Sequence, residues 1–175
     1  GTLDVSVRAL STLRNAAGSA SQNVHPSIEI AVGRLEIAAD AQQELGGGEV
    51  WVEIDLLSLL EQSGSEIVTR RMHVSPNARF VDFGFSQGVA VVNGSESQAA
   101  LRRALAASEE ETDVFFALKA ASRSAGEREI GQGFVNLRAL LHGGRDLVDH
   151  GVEITGRSVA AAAATLSVSL RALDV

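Results

Sequence analysis

At 175 residues, with 45% hydrophobic side chains and a net charge of −7, the chain is long enough to bury the core of one domain. The acidic balance argues against nucleic acid as a partner, because binding there needs a basic face to displace counterions. It also argues against contact with anionic lipid, where each Lys or Arg near the surface contributes only about 1 kcal/mol.

No cysteine is present, which removes disulfides, thiolate chemistry and Cys-based zinc sites and fits a cytoplasmic setting. No run of about 18 apolar residues could span a membrane. The opening GTLDVSVRAL lacks the basic n-region and apolar core of a signal peptide. Leu3, Val5 and Val7 alternate with Asp4, Ser6 and Arg8, and TLDVSVRAL echoes TLSVSLRAL at 165–173. Two readings stay open. These are similar strands of one sheet, or residues 1–14 close a preceding domain and run into a linker. The domain boundaries follow: residues 1–25 as N-terminal strand and linker, residues 26–175 as the main domain.

Beyond Pro26 the dominant period is two. Ile28, Ile30 and Val32 form one face, and after Gly33 the phase slips to Leu35 and Ile37, as at a β-bulge. Val50, Val52, Ile54 and Leu56 alternate with Trp51, Glu53 and Asp55. Val68, Arg70, Met72 and Val74 follow less cleanly, then Val81, Phe83 and Phe85, then Val89 to Val92. Ser95-Glu96-Ser97-Gln98 fits a capping box, and Leu101 and Leu105 extend that helix to about Ala107. An apolar strand over Val114 to Leu118 precedes a polar loop and a second alternating strand. A short helical turn over Leu137 to His142 is stopped by Gly143-Gly144. Ser158 to Ala164 reads as a turn leading into the final strand, where Leu166, Val168 and Leu170 point inward. Many short strands with Gly, Ser and Asn punctuation describe a two-sheet sandwich.

The stretch TDVFFALKAASRSAGEREIGQGFVNLRALL (112–141) resembles the signature hairpin of C2 domains, an apolar strand, a loop, Ile-Gly, and a strand ending in a leucine-rich turn. The resemblance implies an all-β, antiparallel C2-type β-sandwich of about eight strands with one inserted helix near residues 95–107. Within that fold, SIEIAVGRLEIAADAQQELGGGEVWVEIDLLSL, RFVDFGFSQGVAV, REIGQGFVNLRALLHGGRDLVDHGVEI and TLSVSLRAL resemble one branch. It is the C-terminal C2 domain (RPGR-interacting domain) of the retinitis pigmentosa GTPase regulator-interacting protein family. Gly144-Arg145-Asp146-Leu147 is the most specific of these blocks. This second resemblance implies a protein-binding module of a ciliary scaffold at the basal body and transition zone, with partners such as the GTPase-regulator propeller or nephrocystin-like proteins. It implies no catalysis, no cofactor and no metal.

Calcium takes six to eight oxygens from loops that converge at one end of such a sandwich. The first loop offers Asp40, Glu44 and Glu49, and the second offers Glu127 and Glu129 beside Arg123 and Arg128, whose charge opposes a dication. Gly84-Phe85-Ser86-Gln87-Gly88 matches G-x-S-x-G, yet a nucleophile elbow needs a strand, a sharp turn and a helix; here Val89 to Val92 continues as strand, so Ser86 is not read as a nucleophile. The four histidines are scattered and make no ligand pair. Arg70, Arg71 and Arg79 form the strongest basic cluster, and Trp51 stands on the polar face of its strand. These four are the candidate partner or lipid contacts. The expected function is a calcium-independent protein-interaction domain, with phosphoinositide binding as the alternative.

Overall fold

A computed structural model of the chain describes residues 27–56, 67–92, 94–106, 112–122, 126–156 and 162–171, with the backbone alone at Gln43, Glu44, Ala162 and Ala163. The expectations for residues 1–25 lie outside these. The elements in chain order are β1 (Ser27–Ile37), α1 (Gln42–Leu45), β2 (Glu49–Leu56), β3 (Ile67–Val68), β4 (Met72–His73) and β5 (Phe80–Ala90). They continue with α2 (Glu96–Ala106), β6 (Asp113–Ser122), β7 (Gly126–Asn136), α3 (Leu137–Gly143), β8 (Leu147–Thr155) and β9 (Ala162–Arg171). Where the sequence predicts one inserted helix, the described residues hold three. The expected helix near 95–107 is α2, the expected turn at Leu137 is α3, and α1 falls in a glycine-containing loop whose pattern gave no helical period.

The strands run β3-β2-β6-β7-β8-β9-β1-β5, with β4 beside β2, and every pairing is antiparallel. Between β7 and β8 the ladder narrows to one pair, Gln132 with Thr155. At that hinge the ribbon folds over into two stacked layers, β3/β4-β2-β6-β7 against β8-β9-β1-β5. Gly131 and Gly133 make the fold-over possible, because a Cβ on either would collide with the carbonyl of Thr155 or Glu153. The inward residues of both layers meet in one core, including Ile30, Leu35, Phe83, Phe116, Leu118, Ile154 and Leu166, each at most 1% exposed. Alternation therefore becomes burial, as expected of half-buried strands.

Each departure from simple alternation has a local cause. The slip at Gly33 is a bulge: β1 carries one residue more than β9 between Val32 and Leu35. In β5 the run through Gly84, at φ 55°, is a single strand with a bulge, as its continuation into Val89 suggests. The face expected as Val68, Arg70, Met72 and Val74 is not formed. Ile67, Thr69 and Val74 are buried instead. Thr69 stays in the ladder, its amide donating to the Val52 carbonyl (3.0 Å) and its hydroxyl accepting from the Val52 amide (2.9 Å). Met72 then pairs with Val50, so Arg70 and Arg71 together oppose Trp51.

The caps fit the helices they close. The Ser95 hydroxyl accepts from the Gln98 amide at 3.2 Å, and the Gln98 side chain accepts from the Gly94 amide at 3.0 Å, a near-reciprocal version of the capping box. Leu101 then enters the core at 0% exposure. Asn136 caps α3 by accepting from Ala139, and Gly144 ends it at φ 63°.

Candidate functional site

The outward face of β2, β6 and β7 is set by register. Its cross-strand rows are Glu49–Ala121–Glu127, Trp51–Lys119–Glu129, Asp55–Phe115–Phe134 and, at the far end, Asp113–Asn136. Glu53 and Ala117 stand beside Gln132 between them. By simple alternation Glu127 and Glu129 would share the inward side with Gly131. The extra residue Ile130, between the pairs Leu118–Gly131 and Lys119–Glu129, is a bulge that turns both glutamates outward. Much of what distinguishes this face thus follows from one residue of the Ile-Gly pair in the signature hairpin.

Trp51 is the first correction to the sequence reading. It points outward as expected, yet it is only 4% exposed. The Arg71 guanidinium lies 4.0 Å from the ring centroid and bonds the Glu127 carboxylate at 2.6 Å, so Trp51 is not an exposed contact. The bulge opposite Trp51 is what brings Arg71 across the ring. The indole N–H donates to Glu53 at 3.1 Å, which satisfies the one polar atom of the buried side chain. Lys119 bridges Glu129 (3.0 Å) and Glu53 (3.3 Å). The hydrogen bond that Lys119 donates to Glu129 raises its pKa above the ordinary lysine value, Glu53 adds to this, and burial opposes it.

Of the other sequence candidates, Arg70 and Arg79 are exposed. Arg71 alone of the three enters a described ion pair, with Glu127. Sequence reasoning missed the aromatic pair Phe115–Phe134, whose ring centroids are 6.0 Å apart. Phe134 is 58% exposed, the most of any large hydrophobic described. Alternation carried the signal, since Val114, Phe116 and Leu118 occupy the inward positions and leave Phe115 outside.

The apical loops converge as a C2-like sandwich requires. Gly47 donates to Val74 (2.7 Å), Val74 to Gly48 (2.9 Å) and Ile37 to Arg79 (2.8 Å), while Glu49 pairs with Ala121. Asp40 accepts from the Ala41 amide at 3.0 Å, and Glu127 is taken by Arg71. The Glu44 side chain and Arg123 lie outside the described residues. Among the described residues no three His, Asp or Glu side chains gather closely enough to hold a metal ion. Ser86 stands mid-strand with its hydroxyl donating to Glu29 at 3.2 Å, and β5 passes straight through the G-x-S-x-G segment without the turn and helix of a nucleophile elbow. No described helix is long and apolar enough to cross a membrane.

No protein-family model matches the chain, and no curated protein matches its sequence. Solved structures do match its fold. One is CC2D1B, described as coordinating ESCRT-III activity during mitotic reformation of the nuclear envelope, at TM-score 0.58 and 14% identity. That match covers 87% of this chain and 57% of that one, so the chain spans a little over half of its length. A C2 domain-containing protein matches at TM-score 0.54 and 11% identity, over 88% of this chain and 93% of its own. At such identities the likeness speaks of the fold alone. Together with the hinge at β7–β8, the antiparallel strands of the described residues and the converging loops, it establishes that this chain has the C2-domain β-sandwich fold.

Proposed function

We propose that the chain is a protein-interaction C2 module that works without calcium and without catalysis. The carrying observation is where its carboxylates are committed. Glu53, Glu127 and Glu129 are drawn into ion pairs with Arg71 and Lys119 on the β2-β6-β7 face, and among the described residues no carboxylates converge at the apical end. A calcium site asks for six to eight oxygens. What remains is a broad, ordered face with an exposed aromatic, suited to complementarity with another protein.

The ciliary assignment rests on the sequence resemblance to the RPGR-interacting domain. On it, the module belongs to a cytoplasmic scaffold at the basal body and transition zone, and its partner is a GTPase-regulator propeller or a nephrocystin-like protein. The second reading is phosphoinositide binding, favoured by the exposed guanidinium groups of Arg70 and Arg79.

Thermal unfolding with and without calcium tests the first claim. Calcium at about 100 times a dissociation constant adds about 2.7 kcal/mol of stability; the expected shift is zero, and a clear rise overturns calcium independence. Pull-down from ciliary extract should recover a scaffold or GTPase-regulator component, and its absence removes the ciliary assignment. Pelleting with phosphoinositide vesicles that is lost in Arg70→Glu promotes the membrane reading instead. Esterase activity lost in Ser86→Ala would overturn the non-catalytic one.

A further inference from the structure

The face that C2-type packing leaves open in the β2-β6-β7 layer is acidic. Glu49, Glu53 and Asp55 on β2, Asp113 on β6, and Glu127 and Glu129 on β7 all stand on its outward side by register. Among the described residues, the cations that meet these six carboxylates on this side are Lys119 on the strand and Arg71 folded over Trp51. The Ile130 bulge makes the difference, because without it Glu127 and Glu129 would turn away from this side. In the same layer Phe134 stands 58% exposed beside Phe115, in one row with Asp55. A large aromatic held in water toward one end of a charged sheet face, one row from the Asp113–Asn136 end, has the composition of a docking anchor with charged neighbours.

We propose that this face docks a basic segment of a partner protein. An apolar side chain of the partner would seat on the Phe134–Phe115 pair, and its Lys or Arg side chains would stand over Asp55, Glu53 and Glu129. The charge selects the occupant. A surface with an excess of carboxylates attracts a basic peptide and repels an anionic bilayer. The proposal rests on the protein-interaction reading above and adds to it the face and the chemistry of the partner.

The test is a titration of the isotopically labelled chain, followed by amide chemical shifts. The probe is a short Lys/Arg-rich peptide with a central Leu-Phe pair, and its counterpart carries Glu at every basic position. The basic peptide should move the amides of Glu53, Lys119, Gln132 and Phe134, and its affinity should fall as salt is raised. Phe134→Ser should weaken it about tenfold, and Asp55→Asn about threefold. Phe134 is exposed, so the variant should keep its fold, which circular dichroism checks.

Equal binding of the acidic peptide, or shifts confined to β5 or the apical loops, would overturn the proposal. Binding of phosphoinositide vesicles that Phe134→Ser abolishes would overturn it in favour of a membrane, and a dimer that the same change dissociates would overturn it in favour of a second copy. The two readings fail separately. A partner captured equally by the chain and by Phe134→Ser spares the protein-binding module and removes this face from it.

Discussion

Replacing Arg71 by alanine strips the cover from the only tryptophan in the chain. Two interactions disappear. The guanidinium over the indole, at 4.0 Å, is worth about 0.5–1 kcal/mol where exposed and about 2 where desolvated. The ion pair to Glu127 joins side chains 46% and 60% exposed, and pairs of that kind contribute about 0–1 kcal/mol. The expected loss is therefore about 1–2 kcal/mol, with the stacking the larger part. In a chain of this size each kcal/mol moves the midpoint by about 2–4 °C, so Tm should fall by roughly 2–8 °C. Trp51 also gains water, so its emission should shift to the red in the folded protein. Arg71→Lys keeps the charge but not the planar group and should fall between the two, whereas Glu127→Gln should cost less than Arg71→Ala and leave the emission nearly unchanged. Scanning fluorimetry with emission spectra on the four proteins separates these effects. An Arg71→Ala variant with native Tm and native emission would show that the arginine does not cover the ring.

The remaining predictions concern the core, the hinge and the alkaline limb. Phe116 is 0% exposed, and Phe116→Ala should cost about 3–5 kcal/mol in urea unfolding; a loss under about 1 kcal/mol would contradict its place in the core. Gly133→Ala drives a Cβ into the Glu153 carbonyl and the Val152 side chain. It should destabilise the chain and raise hydrogen exchange at the β7–β8 bridge, whereas undiminished stability would mean that β8 does not cross there. Lys119, whose pKa Glu129 raises above the ordinary lysine value, contributes stability that is fully present below the unfolded lysine pKa and is lost as pH rises through the folded one. Tm should therefore decline less between about pH 9 and 12 in Lys119→Met than in the unaltered chain; identical slopes would refute the coupling. Ser95→Ala should cost about 1 kcal/mol through loss of the α2 cap, and helical content that stays unchanged together with stability would remove that role.

Local signals carried far in this chain. Alternation at Ile28–Val32, Val50–Leu56 and Leu166–Leu170 located strands and their buried sides, because a half-buried strand shows its period directly in the residues. The slip at Gly33, the box at Ser95–Gln98 and the stop at Gly144 are equally local, each needing only neighbours a few residues away. The hairpin around Ile130-Gly131 was enough to indicate the fold. Three features were decided only by packing across the sheets. Arg71 hides Trp51 because a bulge formed by pairing with β2 sets it opposite the ring, and the Ile130 bulge aims Glu127 and Glu129 at Lys119 through register with β6. The place of the bulge at Gly84 in β5 likewise depends on its register with β1. Those outcomes depend on which strand lies beside which and in what register. That is a property of contacts between distant residues, and it fixes here which side of a β-layer is acidic and where Phe134 stands on it.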